Sequence, residues 1–545
     1  LTADPRSPLE RACWPAERGE PVLETTVGGV LRAAAALAPE RTALIAWGTT
    51  AAGRRRWSFA ALLREAERTA RALRARFQPG EHVAVYAGNC PEWQLLEYGA
   101  ALAGLVLVTV NPASRGRELD YLLRQSRAAG LFHGESFRGN PLAAWVGEVR
   151  AGLPALREVV PFAGWEEFMG GAADGALPQV APESIAQIQY TSGTTGSPKG
   201  ALLPHRALTN NARFFFERAE LGAGDVLVHA LPFFHTTGCG LATLGPLQRL
   251  ATQVFLPAFD AGLLLEAAEG ARATHLIAVP TMIIGLLEHP QFTARDLGSL
   301  RVVLAGGASV APELVRLIES RLHARFNIGY GQTEASPIVT QLRLDDAPEV
   351  KADTVGRPLP QTEVKIVDPA GGAIVACGAV GEMCVRGFQV MRGYFEMPEA
   401  TAAALDAGGW LHTGDLATMD EQGYCRIVGR LKDMVIRGGE NLFPAEIEAT
   451  LLEHPGVGDA AVIGVPDARM GEELAAFVRT SGARPEPAEL RAHVRARLAA
   501  PKAPRYWVFV ETLPLNASGK VQKFLLRQQW EALAHTVVDL AAAKH

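Results

Sequence analysis

From residue 58 to residue 328 short apolar stretches alternate with longer stretches of helical periodicity. Residues 58–77 place Leu62, Leu63, Ala66, Ala70 and Leu73 on one helical face, with Ser58 as N-cap. Strands are expected at 82–87 and 105–110, with a helix at 92–104 between them, and the pair repeats at 117–127 and 130–133. Beyond residue 200 come helix 206–217, strands 225–229, 253–256 and 275–279, helix 281–288, strand 300–305, helix 311–322 and strand 325–328. Strands that are apolar along their whole length are covered on both faces, and intervening helices return the chain in the same direction. The expected fold class is therefore α/β, built of doubly wound βαβ units with parallel sheets. A chain of 545 residues exceeds one core and divides into units of roughly 150 residues. After about residue 342 Gly and Pro become frequent and strands shorten (363–367, 381–386, 410–413, 425–428), which predicts a small β-rich subdomain over about 342–431. A compact α+β pattern follows. Its expected strands lie near 435, 460–465, 475–479 and 507–510, and its helices at 444–453, 487–499 and 520–533. The expected domains are 1–431 and 432–545, with the boundary at 431–433.

The predicted strand 185–190 runs into Thr191-Ser192-Gly193-Thr194-Thr195-Gly196-Ser197-Pro198-Lys199-Gly200. Gly193, Gly196 and Gly200 let backbone approach a polyphosphate and take positive φ, and successive N–H groups can form an anion-binding nest. The hydroxyls of Thr191, Ser192, Thr194 and Thr195 add donors, and Lys199 adds a point charge. A Walker A loop is excluded, because Gly200 follows the lysine where Ser or Thr is required. A polar turn that happens to hold a lysine is the ordinary alternative for a shorter segment; ten residues of this spacing point to a phosphate loop. The net charge of −5 gives no electrostatic reason to propose nucleic acid or an anionic membrane as partner. The six cysteines are scattered without a C-x-x-C pair, so they read as thiols of a reducing compartment. The longest apolar run, 100–110, falls well short of the ~20 residues of a membrane helix. With no signal-peptide pattern in the opening residues, the expectation is a soluble cytoplasmic protein.

The loop resembles the signature of the adenylate-forming superfamily, which includes acyl-CoA synthetases, peptide-synthetase adenylation domains and beetle luciferases. Further motifs follow in that family's order. They are Tyr330-Gly331-Gln332-Thr333-Glu334, Gly381-Glu382-Met383-Cys384-Val385-Arg386-Gly387, Thr413-Gly414-Asp415, Gly429-Arg430-Leu431-Lys432-Asp433, Arg437-Gly438-Gly439-Glu440-Asn441 and Asn516-Ala517-Ser518-Gly519-Lys520. Each is weak alone; their order makes the resemblance specific. It implies that ATP is held by the phosphate loop, by Gly306, Gly307 and Ala308, and by Tyr330, Gly331, Gln332 and Thr333. Tyr330 would lie against the adenine, Thr333 would donate to the α-phosphate and Glu334 would hold Mg²⁺. Asp415, an acceptor-only carboxylate, suits the ribose hydroxyls, with Arg430 as its partner. Lys520 is implied as the catalytic lysine. Two like charges at 4 Å repel by ~1 kcal/mol in water and by more in a drier site, so a lysine delivered there stabilises the approach of a carboxylate to an anionic phosphate. Lys432 matches the hinge about which a mobile C-terminal domain turns. Arg437, Gly438, Gly439, Glu440 and Lys502 match positions that receive CoA, with Arg505 nearby, and His235 matches the position that gates the thiol tunnel. Taken singly, several of these have plain alternatives: a strand-end tyrosine, a turn aspartate, surface lysines and a core histidine.

The acyl pocket is expected from residues 234–240, 279–285, 305–309 and 335–338, with Phe234, Gly238, Met282, Gly307 and Ser336 on its wall. These stretches are apolar and rich in small residues. No aspartate is placed to pair with a substrate amino group, which favours an apolar acid: a medium or long fatty acid, or a bulky alicyclic or aryl acid. The implied reaction has two steps. Acid and Mg·ATP give acyl-AMP and pyrophosphate, and the thiol of CoA then displaces AMP. No Ser-His-Asp nucleophile is evident or needed. A free acyl carrier protein as acceptor, one half-reaction shared with a partner enzyme, and a homodimer all remain open.

Overall fold

The computed structural model describes residues 8–17, 19–50, 53–172, 175–191, 198–306, 312–438, 440–515, 521–530, 532 and 537–540. Among them the strands form four sheets. In the first, strands Glu158–Pro161, Gly130–His133, His82–Tyr86, Val106–Val110 and Ile185–Thr191 are parallel, and Lys199–Pro204 closes the edge antiparallel. The second sheet is nine-stranded. Its parallel centre runs Arg325–Gly331, Val302–Gly306, His275–Ile277, Val226–His229, Thr252–Phe255 and Thr42–Ala46. Antiparallel strands flank this centre, Ile338–Gln341 and Arg357–Pro358 on one side and Arg55–Ser58 on the other.

The expected α/β class and the mostly parallel sheets are borne out. Ser58 caps helix Phe59–Arg74 by accepting from the Ala61 N–H, as its position before an apolar stripe requires. The helix expected at 206–217 is found as His205–Arg218. Before it comes a strand not expected from the sequence, Lys199–Pro204, which pairs antiparallel with Ile185–Thr191 as a β-hairpin. Pro204 ends that strand at an edge, where a missing N–H costs nothing.

The third sheet is antiparallel, in the order Cys13–Trp14, Thr362–Val367, Gly381–Gly387, Leu411–Met419, Cys425–Arg430. The fourth begins at Val435–Arg437, after the 3₁₀ turn Leu431–Asp433. It is built around the pair Val457–Asp467 and Gly471–Thr480. Among the described residues no sheet crosses that turn. No helix among the described residues is long and apolar enough to cross a membrane.

Helix Pro91–Ala103 is buried from Trp93 onward, yet it carries Gln94, Glu97 and Tyr98. These side chains belong to a polar seam between the first two sheets. Gln187 donates to Glu97 Oε1 (3.0 Å), Gln189 to Gln187 (2.8 Å) and Thr109 to Gln189 (3.2 Å). On the other side Tyr98 donates to the Thr243 carbonyl (3.0 Å), and Gln94 reaches Gln253 (2.6 Å). Glu97 is 2% exposed, and its Oε2 has no partner among the described residues. Burial without a cation pushes its carboxyl well above the usual range, so it stays protonated. The folded state thus keeps a proton that the unfolded chain releases above its ordinary carboxylate pKa. This contribution to stability falls as pH rises from that value toward the folded one, by at most about 1.4 kcal/mol per pH unit. Glu97→Gln, a neutral isostere, is expected to flatten the pH dependence and to match or exceed the parent at pH 8; urea denaturation of both proteins at pH 5 and pH 8 measures the difference.

Candidate functional site

At the base of the hairpin Thr191 pairs with Lys199. Ser192, Gly193, Thr194 and Thr195, expected to bind phosphate, lie outside the described residues, as do Gly196 and Ser197. The hairpin is braced from below, where Tyr121 donates to the Pro198 carbonyl (3.0 Å) and Tyr190 to Gln125. Gly200 does not take a positive φ; an added Cβ would lie 2.7 Å from Ile188 Cγ2, so its small size serves packing rather than a loop conformation. Residues 392–395 add to the hairpin's outer edge, with Leu202 N–H bonding Gly393 O and Phe395 N–H bonding Gly200 O. This brings the Tyr394 ring within 5.2 Å of Lys199 Nζ.

Opposite the hairpin, strand Arg325–Gly331 ends in the 3₁₀ turn Thr333–Ala335. Glu334, 8% exposed, accepts there from the Tyr394 hydroxyl (2.8 Å) and the Thr191 hydroxyl (3.3 Å), both on Oε1. Burial and then the Glu334 carboxylate push the Tyr394 phenol up, so it remains a donor. The carboxylate and the hydroxyls are hard oxygen donors, and the lysine beside them suits an anion, so the group fits a magnesium ion carrying phosphate. The Thr333 hydroxyl lies 3.5 Å from that of Thr236, at the long limit of a hydrogen bond. Ser336 follows at φ +64, buried, and its Oγ has no partner among the described residues.

The Tyr330 hydroxyl donates to Asp415 Oδ2 (2.7 Å), and Arg430 Nε lies 3.0 Å from Oδ1. Asp415 is 4% exposed. Strand register sets the pair, since Asp415 and Arg430 are direct partners on neighbouring strands. Burial and the Asp415 charge push the Tyr330 phenol up, keeping it neutral. The structure therefore brings together Tyr330, Asp415 and Arg430, and beside them Thr191, Lys199, Thr333 and Glu334. The chain turns between Gly331 and Pro337, where Gln332 N–H bonds Pro337 O (2.8 Å). A Cβ on Gly331 would sit 1.8 Å from that same oxygen.

The second sheet changes winding direction between Val226–His229 and His275–Ile277, and their C-terminal ends open a crevice of the kind in which α/β sheets bind ligands. Asn89, 7% exposed, shapes one lip. Its amide donates to Leu231 O (2.9 Å) and Leu256 O (3.0 Å), and its oxygen accepts from Phe233 N–H (2.8 Å). Phe233 is fully buried while Phe234 is half-buried. His235 Nδ1 accepts from Thr237 N–H (3.3 Å), which assigns the neutral ring's proton to Nε2. Gly238 lies in the π-turn Thr237–Ala242, where a Cβ would stand 2.1 Å from Pro232 O; backbone contact occupies its side-chain space. Met282 is half-buried on helix Pro280–Leu287, which follows strand His275–Ile277. Gly306 ends strand Val302–Gly306, while Gly307 and Ala308 lie outside the described residues.

In the C-terminal part Arg437 makes a two-pronged bond to buried Glu473 (2.6 and 2.9 Å), Lys502 bonds Glu446 (2.5 Å), and Arg505 bonds Asp539 and Asp467. Arg437 and Arg505 are thus held by carboxylates of the fourth sheet, and Lys502 by Glu446 on helix Pro444–Leu452. Gly438 takes φ +60 and packs under Met470, and Glu440 is exposed opposite Arg437. Lys432 sits in the turn Leu431–Asp433, and burial and the Arg430 charge lower its pKa. Gly439 and Lys520 lie outside the described residues. Sequence reasoning missed Tyr394 and Asn89, and singled out no role for Thr236 within the expected pocket stretch 234–240. Their roles depend on partners more than 50 residues away, as with the 2.8 Å bond from Tyr394 to Glu334, and leave no local pattern.

Comparison with known proteins matches residues 31–395 to the family described as AMP-binding enzyme and residues 446–520 to the AMP-binding enzyme C-terminal domain. YngI of Bacillus subtilis (strain 168) is 39% identical, covering 93% of this chain and 97% of its own. The mitochondrial medium-chain acyl-CoA ligase ACSF2 of Rattus norvegicus is 36% identical, covering 94% and 88%. The crystal structure of ATP-bound MatB from Rhodopseudomonas palustris has a TM-score of 0.84 at 32% identity, covering 93% of this chain and 100% of that one.

The Gly331 contact makes one clear expectation. Gly331→Ala must move the turn that carries Thr333 and Glu334, costing about 3 kcal/mol of stability. It should weaken AMP binding more than a distant variant of equal instability does. Urea denaturation together with AMP titration measures both effects.

Proposed function

The chain belongs to the AMP-binding enzyme family, and on that footing we propose an AMP-forming acid–CoA ligase whose substrate is an apolar acid of medium chain length or longer, or an aryl acid. The single observation that carries the reading is the convergence on one strand end. Tyr330 reaches Asp415, and four residues later Glu334 reaches Thr191 and Tyr394. A carboxylate suited to ribose hydroxyls and an oxygen-lined group suited to polyphosphate thereby meet at one strand end. The names of ACSF2 and of ATP-bound MatB support the thioester product and the nucleotide.

In the proposed reaction Asp415 accepts from the ribose hydroxyls, its two oxygens pre-oriented by Tyr330 and Arg430. Tyr330, Gly331, Gln332, Gly306, Gly307 and Ala308 flank the adenine. Lys199 and the loop donors Thr191, Ser192, Gly193, Thr194 and Thr195 hold the β- and γ-phosphates that leave as pyrophosphate. Glu334 would hold Mg²⁺, which when bound neutralises phosphate charge. Thr333 donates to the α-phosphate, and Lys520 approaches the same phosphate as the carboxylate attacks, offsetting the charge that develops. The acyl chain enters the crevice past Phe234 toward Met282, with Gly238 and Ser336 on its wall.

We take residues 1–431 and 432–545 as two domains turning about Lys432. After the first step the second domain would present Arg437, Gly438, Gly439 and Glu440 to pantetheine and Lys502 to the nucleotide end of CoA. The bonds from Arg437 to Glu473 and from Lys502 to Glu446 supply fixed geometry to that surface. His235, its ring held by the Thr237 N–H at Nδ1, would stand at the thiol's route.

The test is acid-dependent pyrophosphate exchange with a panel of acids graded in length and bulk, followed by product mass spectrometry with CoA or a free carrier protein. Octanoate- to dodecanoate-sized acids are expected to give acyl-CoA. Acyl-carrier without acyl-CoA would sink the CoA reading. Lys520→Ala is expected to slow exchange by about 10²–10³-fold while leaving thioester formation from supplied acyl-AMP within a few-fold of the parent.

A further inference from the structure

Gly381–Gly387 has no part in the nucleotide contacts above, yet its side chains form a mixed cluster. Glu382 and Cys384 are two residues apart on that strand and share one face of the antiparallel sheet. His412, on the neighbouring strand Leu411–Met419, pairs directly with Cys384. Cys384 Sγ lies 3.6 Å from His412 Nδ1, and the same nitrogen lies 2.8 Å from Glu382 Oε2. One ligand atom from each residue falls within 4.8 Å of the others. Glu382 and Cys384 are buried, while the His412 side chain is 35% exposed and gives access from solvent.

We propose that Glu382, Cys384 and His412 form a site for a thiophilic divalent cation of the Zn²⁺ class, separate from the oxygen-lined position at Glu334. One sulfur, one imidazole nitrogen and one carboxylate oxygen select Zn²⁺ over Mg²⁺, which takes oxygen ligands only. Tetrahedral zinc with bonds of about 2.0–2.3 Å separates its ligand atoms by about 3.3–3.6 Å. The sulfur–nitrogen distance already meets this, and the nitrogen–oxygen distance must open by roughly half an ångström.

Protons and charges balance. Without a cation, burial and then Glu382 push the Cys384 thiol up to about 12, so it carries its proton. Binding releases that proton to water and forms a sulfur–metal bond. The imidazole proton then resides on Nε2, which faces Asp406 Oδ2 at 3.8 Å, the outer carboxylate that metal-bound histidines usually have. Glu382 and the thiolate neutralise the dication. Lys365, cross-strand from Cys384 with its Nζ over the Trp410 ring, offsets Asp406. Three protein ligands leave the fourth position to water, the arrangement of an exchangeable site rather than a structural one.

The site reaches the nucleotide pocket through one carboxylate. Glu382 Oε1 accepts from Gly414 N–H (3.1 Å), the residue before Asp415, and Thr413 donates to Met383 O (2.7 Å) in the same turn. A cation drawing on Oε2 therefore acts on the group that fixes the Thr413-Gly414-Asp415 turn.

The probe is Co²⁺ added to the full-length protein freed of other divalent ions. Oxygen ligands at Glu334 give no thiolate-to-cobalt band in the near ultraviolet, so the readout isolates sulfur ligation. One equivalent of Co²⁺ is expected to produce the band, Zn²⁺ to displace it, Cys384→Ser to abolish it, and His412→Gln to weaken binding about tenfold or more. Far-ultraviolet circular dichroism confirms that each variant is folded, and either variant alone suffices if the other does not fold. Absence of the band in the parent protein overturns the proposal. So does its persistence in Cys384→Ser, or unchanged affinity in His412→Gln.

Discussion

A buried carboxylate, Asp415, ties together parts of the chain that share no sheet. One oxygen takes the hydroxyl of Tyr330 from the end of the parallel second sheet, and the other takes the guanidinium of Arg430 from the third. Hydrogen bonds to an ionised acceptor are about twice as strong as neutral ones, and a carboxylate this enclosed has few other ways to be satisfied. The position of the third sheet against the second is thereby fixed at the point where the nucleotide is proposed to sit. Arg430 is also the last residue before the turn Leu431–Asp433, so the anchor of the ribose site lies next to the proposed pivot of the second domain.

A second constraint lies deeper. The first two sheets do not meet through apolar side chains alone; Thr109, Gln187, Gln189, Glu97, Tyr98 and Gln94 form a polar seam between them. Such a seam is directional where apolar packing is not, and each bond left unmade inside it costs more than one in water. It runs into Thr243, at the end of the π-turn that begins just after His235. The register of the crevice is therefore tied to the register of the strand that carries the phosphate loop. Asn89 does the same on the other lip by satisfying three backbone groups at once.

The C-terminal part follows a different rule. Arg437, Lys502 and Arg505 are already held by carboxylates, Arg437 by one that is 2% exposed, so they are fixed in place before any ligand arrives. Fixed polar groups lose little freedom when a ligand arrives, which suits a domain proposed to dock twice in one cycle.

The residues alone determined the chemistry on offer and much of the scaffold. The alternation of apolar strands with amphipathic helices fixed the α/β class, because periodicity is a local property of the chain. Ser58 capped its helix, and strand after strand fell within a few residues of expectation, for the same reason. The order of short motifs placed Asp415, Arg430, Glu334 and Lys199 among the candidates, but their neighbours gave each a plain alternative. Tertiary structure decided what local patterns cannot encode. Lys199–Pro204 proved to be a strand, because it finds one partner in Ile185–Thr191 and a second in residues 392–395. Gly200 and Gly238 proved to be small for packing, since the atoms that crowd them come from a paired strand and from the backbone of Pro232. Tyr394 became part of the site because the chain folds it back over the hairpin to reach a glutamate sixty positions earlier. A side chain's chemistry is carried in its own residue, whereas which groups share a site depends on long-range pairing.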